Sequence, residues 1–210
     1  MQELIDKIEK LKNSSVKGII ESRKKEFEKI KFLGENSIFN ELCFCLMTAN
    51  FSALGGMKIQ SAIGDGFSNY DEEKLSNELV RLGHRFPNAR AKYVILAREE
   101  KDELIKSLNE ISDEILLREW IVANIKGLGM KESSHFLRNI GYKKLAIIDF
   151  HIIDLLAKNG LIEKPKTKNL TPKKYIEIEN VLREIGKKTN LDLGELDLYL
   201  WYLETGKILK

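Results

Sequence analysis

Apolar residues along this chain recur at spacings of three and four, and no stretch sustains the alternation that a half-buried strand requires. That recurrence is the footprint of the roughly 3.6-residue helical turn, so the chain reads as all-α. Clusters of Gly, Asn, Ser and Pro cut it into pieces. Leu4, Ile5, Ile8 and Leu11 make a first stripe ending at Lys12-Asn13, and Val16, Ile19 and Ile20 lead into a lysine-rich helix towards Ile30. Asn36-Ser37 carries an N-cap signal for a helix through Leu42 and Leu46 that stops near Thr48-Ala49-Asn50. Gly55-Gly56 reads as a break before a helix around Lys58 to Ile63, itself ended by Gly64-Asp65-Gly66. Asp71, Pro87-Asn88 and Ser112-Asp113 open further helices, and a last one runs from about Gly194 to Gly206. Lys164 to Lys174 holds two of the three prolines and reads as an exposed, solvated loop.

At 210 residues, 43% hydrophobic and 32% charged, the chain can bury a core for one large or two small domains. A disordered tail or a fibre is excluded. The longest apolar runs, Cys43 to Met47 and Leu145 to Ile148, fall far short of the roughly 18 residues that span a bilayer, and MQELIDKIEK is too charged for a signal peptide. A soluble, cytoplasmic protein with no membrane partner is expected. Cys43 and Cys45, the only cysteines, cannot build a disulfide framework or a four-thiolate zinc or iron-sulfur site. They read as small buried residues. A net charge of +3 permits a polyanionic partner without demanding one.

The stretch richest in chemistry is Trp120 to Asn159. One helix runs into Lys126-Gly127-Leu128-Gly129, and a second begins near Met130 and turns Phe136, Leu137 and Ile140 inward, forming a hairpin. Gly127 and Gly129 leave room for close approach, and the free amides and positive dipole end of the second helix make a seat for phosphate. Leu128 between them plugs the hairpin core. Lys131 follows the turn at the positive end of a helix dipole, which disfavours further positive charge, and a deprotonated amine is a nucleophile. Asp149 follows the apolar Leu145-Ala146-Ile147-Ile148 and reads as the N-cap of a helix that ends at Asn159-Gly160. A carboxylate held there can also stabilise a developing sugar cation. His151, in the first turn, can donate to phosphate or serve a structural role.

Lys126-Gly127-Leu128-Gly129-Met130-Lys131, followed by Asp149 and His151, resembles the helix-hairpin-helix DNA glycosylase superfamily. The segments Cys43 to Asn50, Ser52-Ala53, Gly55-Gly56, Lys126 to Asn139 and Trp201 to Lys210 are similar, more narrowly, to the archaeal-type 8-oxoguanine DNA glycosylase/AP lyases, and the likeness covers nearly the whole chain. The resemblance implies Lys131 as the nucleophile that forms a Schiff base and Asp149 as the assisting carboxylate. It implies a repair enzyme that flips 8-oxoguanine out of double-stranded DNA, excises it, and nicks the strand by β-elimination. By the same resemblance Gly127, Gly129 and His151 meet DNA, Asn50 and Phe86 fill the gap or contact the opposite base, and Trp201 and the terminal Lys210 shape the base pocket. The carbonyls of Ala123, Ile125 and Leu128 would hold a monovalent cation; no other cofactor, and no iron-sulfur cluster, is implied.

The expected architecture is two helical lobes with the hairpin and the active-site cleft between them. Residues 36–144 form one lobe, with the hairpin at about 118–140, and residues 1–35 with 145–210 form the other. A monomer suits an enzyme that scans DNA in a prokaryotic nucleoid. Two alternatives remain open at this level: a related glycosylase/lyase for another oxidised base, and a non-catalytic module that uses the hairpin only to grip phosphate.

Overall fold

The computed structural model describes residues 1–167 and 169–210. Lys168, part of the expected lysine-rich loop, lies outside the described residues. Among the described residues every regular element is helical. In chain order these are α1 (Gln2–Lys12), α2 (Val16–Ile30), α3 (Glu35–Thr48), α4 (Ala53–Ile63), α5 (Gly66–Asn69), α6 (Glu72–Arg81) and α7 (Pro87–Glu99). Then follow α8 (Lys101–Glu110), α9 (Glu114–Asn124), α10 (Met130–Asn139), α11 (Phe150–Lys158), α12 (Pro172–Thr189) and α13 (Leu193–Thr205). None of these is long and apolar enough to cross a membrane.

Two compact units result: Glu28–Gly141, and Met1–Phe27 together with Tyr142–Lys210. The first break falls inside the continuous helix α2, where no glycine or proline marks it. Punctuation in the sequence suggests residue 36 instead, because the local cap signal of Asn36-Ser37 appears there.

The middle unit is organised around α3, whose Phe39, Leu42, Cys43, Phe44, Cys45, Leu46 and Met47 are all buried. It packs against α4, α5, α7 and α10, so a helix surrounded on most sides needs apolar residues around most of its circumference. Burial pushes the Cys43 thiol well above its ordinary pKa, consistent with a space-filling role. The other unit packs α1 and α11 to α13 together, with Leu4, Ile8, Ile20, Ile178, Leu182, Leu196 and Tyr199 in its core. Lys24 of α2 pairs with Asp192 and Glu195 at the start of α13.

Three local expectations are corrected. Helix α3 starts at Glu35, ahead of Asn36-Ser37, because Gly34 at φ +91° turns the chain and its carbonyl accepts from Ser37 and Ile38 at 3.1 and 3.3 Å. Gly55-Gly56 does not break the chain but lies inside α4, capped by Ser52. A Cβ on Gly55 would stand 2.2 Å from Phe51, and one on Gly56 2.7 Å from Thr48, so these glycines serve close packing. Helix α12 begins at Pro172, inside the expected loop, with the Thr171 hydroxyl accepting from Lys174 N–H.

Candidate active site

The hairpin in the middle unit consists of α9, the residues Ile125 to Gly129, and α10. Asp113 caps α9, accepting from the amides of Ile115 and Leu116 at 2.7 and 3.1 Å. The turn closes with Ile125 N–H donating to Ile121 O at 2.8 Å and Leu128 N–H to Ile125 O at 3.3 Å. Ile125 and Leu128 are buried, so the turn is plugged as its pattern suggests. Gly127 has φ +98°, the left-handed region that favours glycine, and the ring of Tyr93 from α7 lies against it. Gly129 differs: its backbone is extended, and a Cβ there would meet only Glu132 Oε2, at an ordinary 3.5 Å. The fold therefore needs a glycine at 127, while at 129 it leaves the space before α10 open.

Helix α10 is anchored at both its faces by buried polar contacts. Arg118 of α9 donates to the Ser134 hydroxyl at 3.2 Å. Asn139 donates to Glu41 Oε2 at 3.1 Å, and Gln60 donates to the other oxygen of the same carboxylate at 3.0 Å, tying α10 to α3 and α4. These bonds satisfy a carboxylate only 4% exposed and fix the helix that carries Lys131. Lys131 lies in the first turn of α10, its side chain 25% exposed and its Nζ 3.9 Å from Glu132 Oε1. An amine so placed is held yet reachable.

Asp149 stands in the other unit. Its carboxylate caps α11, with Oδ1 accepting from His151 N–H at 2.9 Å and Ile152 N–H at 3.0 Å. The segment before it, Leu145 to Ile148, is buried and belongs to no helix or strand, so its backbone polar groups need other partners. Helix α12 provides them. Glu179 accepts from Ala146 N–H at 2.8 Å, and the Tyr175 hydroxyl donates to Ala146 O at 2.7 Å while accepting from Ile148 N–H at 3.2 Å. Tyr175 and Glu179 are one helical turn apart on one face, and a glutamate recurring on an otherwise apolar stripe was the available sequence signal for this clamp.

His151 is flanked by two aromatic rings. Phe150 lies 4.0 Å away at 35°, and Trp201 of α13 meets it edge-on at 4.9 Å and 86°. Trp201 is half-buried, and its indole N–H is buried without a hydrogen-bond acceptor. Phe150 is 60% exposed, and Lys210 at the C-terminus is half-buried. Asp149, His151 and Trp201 thus gather on α11 and α13. Asn50 and Phe86 belong to the middle unit with Lys131: Asn50 is exposed at φ +59°, and Phe86 is 39% exposed just before α7. The carbonyls of Ala123, Ile125 and Leu128 belong to the C-terminal end of α9 and the turn after it.

Comparison with known proteins bears on this constellation. The family model described as 8-oxoguanine DNA glycosylase matches residues 20–191. An 8-oxoguanine DNA glycosylase/AP lyase of Korarchaeum cryptofilum is 50% identical over 210 residues, covering 100% of this chain and 99% of that protein. One from Methanocaldococcus jannaschii is 54% identical over 209 residues, 99% of each chain. The crystal structure of the M. jannaschii 8-oxoguanine glycosylase/lyase in complex with a 15mer DNA containing 8-oxoguanine superposes with a TM-score of 0.94 at 53% identity, covering 99% of this chain and 100% of that one. The chain therefore belongs to the 8-oxoguanine DNA glycosylase family.

Proposed function

We propose that this chain is a bifunctional repair enzyme that removes 8-oxoguanine from double-stranded DNA and then cuts the strand at the abasic site. The observation that carries the reading is Lys131: a partly exposed amine in the first turn of α10, directly behind a hairpin turn left open at Gly129. In this reading phosphate settles against Gly127, Gly129 and the amides opening α10, where helix dipole and free N–H groups favour an anion. The damaged nucleotide is flipped from the stack. Asn50 and Phe86 enter the vacated space.

Lys131 Nζ attacks the sugar carbon bearing the base; the glycosidic bond breaks and its electron pair leaves with the base, which takes up a proton. The amine loses its protons as the sugar ring opens to a Schiff base. Loss of a proton from the neighbouring carbon then expels the 3′ phosphate, which is the nick. Asp149, fixed by the amides of His151 and Ile152, stabilises positive charge developing on the sugar and carries protons between amine and leaving groups. The unpaired indole N–H of Trp201 supports a place for Trp201, with Lys210, in the pocket for the flipped base. His151 lies beside Trp201 and would contact the DNA backbone.

The Ala123, Ile125 and Leu128 carbonyls sit where a helix end leaves oxygens without intrahelical donors, which suits a monovalent cation. Ile125 O is also the acceptor of the long 3.3 Å bond from Leu128 and keeps a second lone pair for it. The cation would brace the turn, and no chemical step runs through it. A monomer acting on the nucleoid in the cytoplasm completes the reading.

Borohydride trapping on a duplex with one 8-oxoguanine tests it. A covalent adduct is expected with the unmutated protein, and neither with Lys131→Gln nor on undamaged duplex. Release of free base without any adduct would overturn the lysine mechanism.

A further inference from the structure

His84, just before α7, is a buried imidazole, 5% exposed. Each of its ring nitrogens has a backbone partner. Phe86 N–H donates to Nδ1 at 3.0 Å, so Nδ1 carries no proton and Nε2–H donates to Met47 O, also at 3.0 Å. The ring of Phe51 lies over the imidazole, centroids 4.5 Å apart and planes 34° from parallel. Arg90 of α7 adds a second tie, donating to Ala49 O at 2.6 Å. The turn after α3, which carries Asn50 in a left-handed conformation, is therefore pinned on one side by His84 and on the other by Arg90.

The same imidazole fixes Phe86 through its backbone. Asn50 and Phe86 are far apart in the sequence, yet the backbone leading to each is tied to one ring, through Met47 O before Asn50 and through the N–H of Phe86 itself. Two side chains that enter one gap in a duplex must arrive with a fixed separation, and a disordered pair would pay for its ordering at the moment of flipping. We infer that His84 is a positioning residue that holds the Asn50 and Phe86 turns in register for filling the space left by the flipped base, an inference that rests on the glycosylase reading of those two residues. Burial, reinforced by the charge of Arg90, pushes the imidazole pKa below its ordinary value and keeps the ring neutral, although the bond to Met47 acts the other way. Neutrality matters because a protonated Nδ1 could not accept from Phe86.

The test compares single-turnover excision from an 8-oxoguanine duplex by the unmutated protein, His84→Ala, the double variant Asn50→Ala/Phe86→Ala, and the triple variant. His84→Ala is expected to slow excision about tenfold or more, by misregistering the two turns. Added to the double variant it is expected to change the rate by less than about twofold, because a residue acting only through two others has nothing left to position. Nicking by His84→Ala at a preformed abasic site in a single strand, which needs no gap filling, is expected to stay within about twofold of the unmutated protein. His84→Asn, whose side-chain oxygen can stand in for Nδ1, is expected to recover part of the duplex rate, and it replaces His84→Ala throughout if the alanine variant does not fold.

An equal loss in the presence and absence of Asn50 and Phe86, or an equal loss on the single strand, would reduce His84 to a purely structural residue. An undiminished duplex rate would overturn the inference directly. If the unmutated protein itself releases no 8-oxoguanine, the glycosylase reading fails and takes this inference with it.

Discussion

The ring of Tyr93 occupies the space that a side chain on Gly127 would need: a Cβ built there would stand 2.5 Å from Tyr93 Cδ2. Helix α7 is thereby pressed onto the hairpin turn, and the turn can be followed only by a residue without a Cβ at φ +98°. Gly127→Ala should destabilise the protein by about 1–3 kcal/mol, from backbone strain plus the clash. In a Tyr93→Ala background the clash is gone and the added loss should be smaller. Thermal unfolding of the four proteins checks this.

Gly129 gives the contrasting expectation. Its backbone is extended and its surroundings accept a methyl group, so Gly129→Ala should shift stability by no more than about 0.5 kcal/mol. Binding to duplex DNA should nevertheless weaken measurably if phosphate approaches here. Unfolding and a fluorescence titration with labelled duplex separate the two effects; unchanged affinity would remove Gly129 from the interface.

Asp149 is assigned two tasks that substitutions can separate. Asp149→Ala removes the cap of α11 and should cost about 0.5–2 kcal/mol of stability, whereas Asp149→Asn keeps a capping oxygen and should cost little. Both should lose excision, because an amide can neither stabilise a sugar cation as an anion nor carry protons. An active Asp149→Asn enzyme would leave Asp149 as a cap alone.

The buried strut before Asp149 makes a fourth test. Tyr175→Phe removes the hydroxyl bonded to Ala146 O and Ile148 N–H, leaving two buried backbone groups short of a partner. A loss of about 1–3 kcal/mol is expected. Hydrogen exchange at the Ile148 amide should accelerate more than exchange across α1, which would localise the damage to the segment leading into Asp149.

Lys24 supplies a pH-dependent expectation. Burial by itself would lower its pKa, but the hydrogen bond to Glu195 and the charges of Asp192 and Glu195 outweigh that and raise it. A lysine raised in the folded state contributes stability that is full below the unfolded pKa near 10.5 and is lost as pH climbs through the higher folded value. Lys24→Met should therefore cost about 1 kcal/mol or less at neutral pH, and the gap between the two proteins should close above pH 10.5. Urea unfolding across that range measures it.

What could be read from the sequence shares one property: its cause is local. The cap at Asp149 is set by amides two and three residues away, the plugged turn at Leu128 by its own glycines, and the helical stripes by period alone. The sequence by itself thus determined an all-helical chain, the hairpin, and a lysine and aspartate in positions fit for chemistry. Gly55-Gly56 shows where that reasoning stops, since a glycine pair inside a helix looks like a break until Phe51 and Thr48 are seen pressing on it. His84 reaches Met47 across 37 residues, Glu179 reaches Ala146 across 33, and Tyr175 reaches Ile148 across 27. No local pattern encodes such pairings. Only the tertiary structure decided which buried polar groups hold the Asn50 and Phe86 turns and the segment before Asp149, because a buried donor or acceptor takes whatever partner packing brings within hydrogen-bond reach.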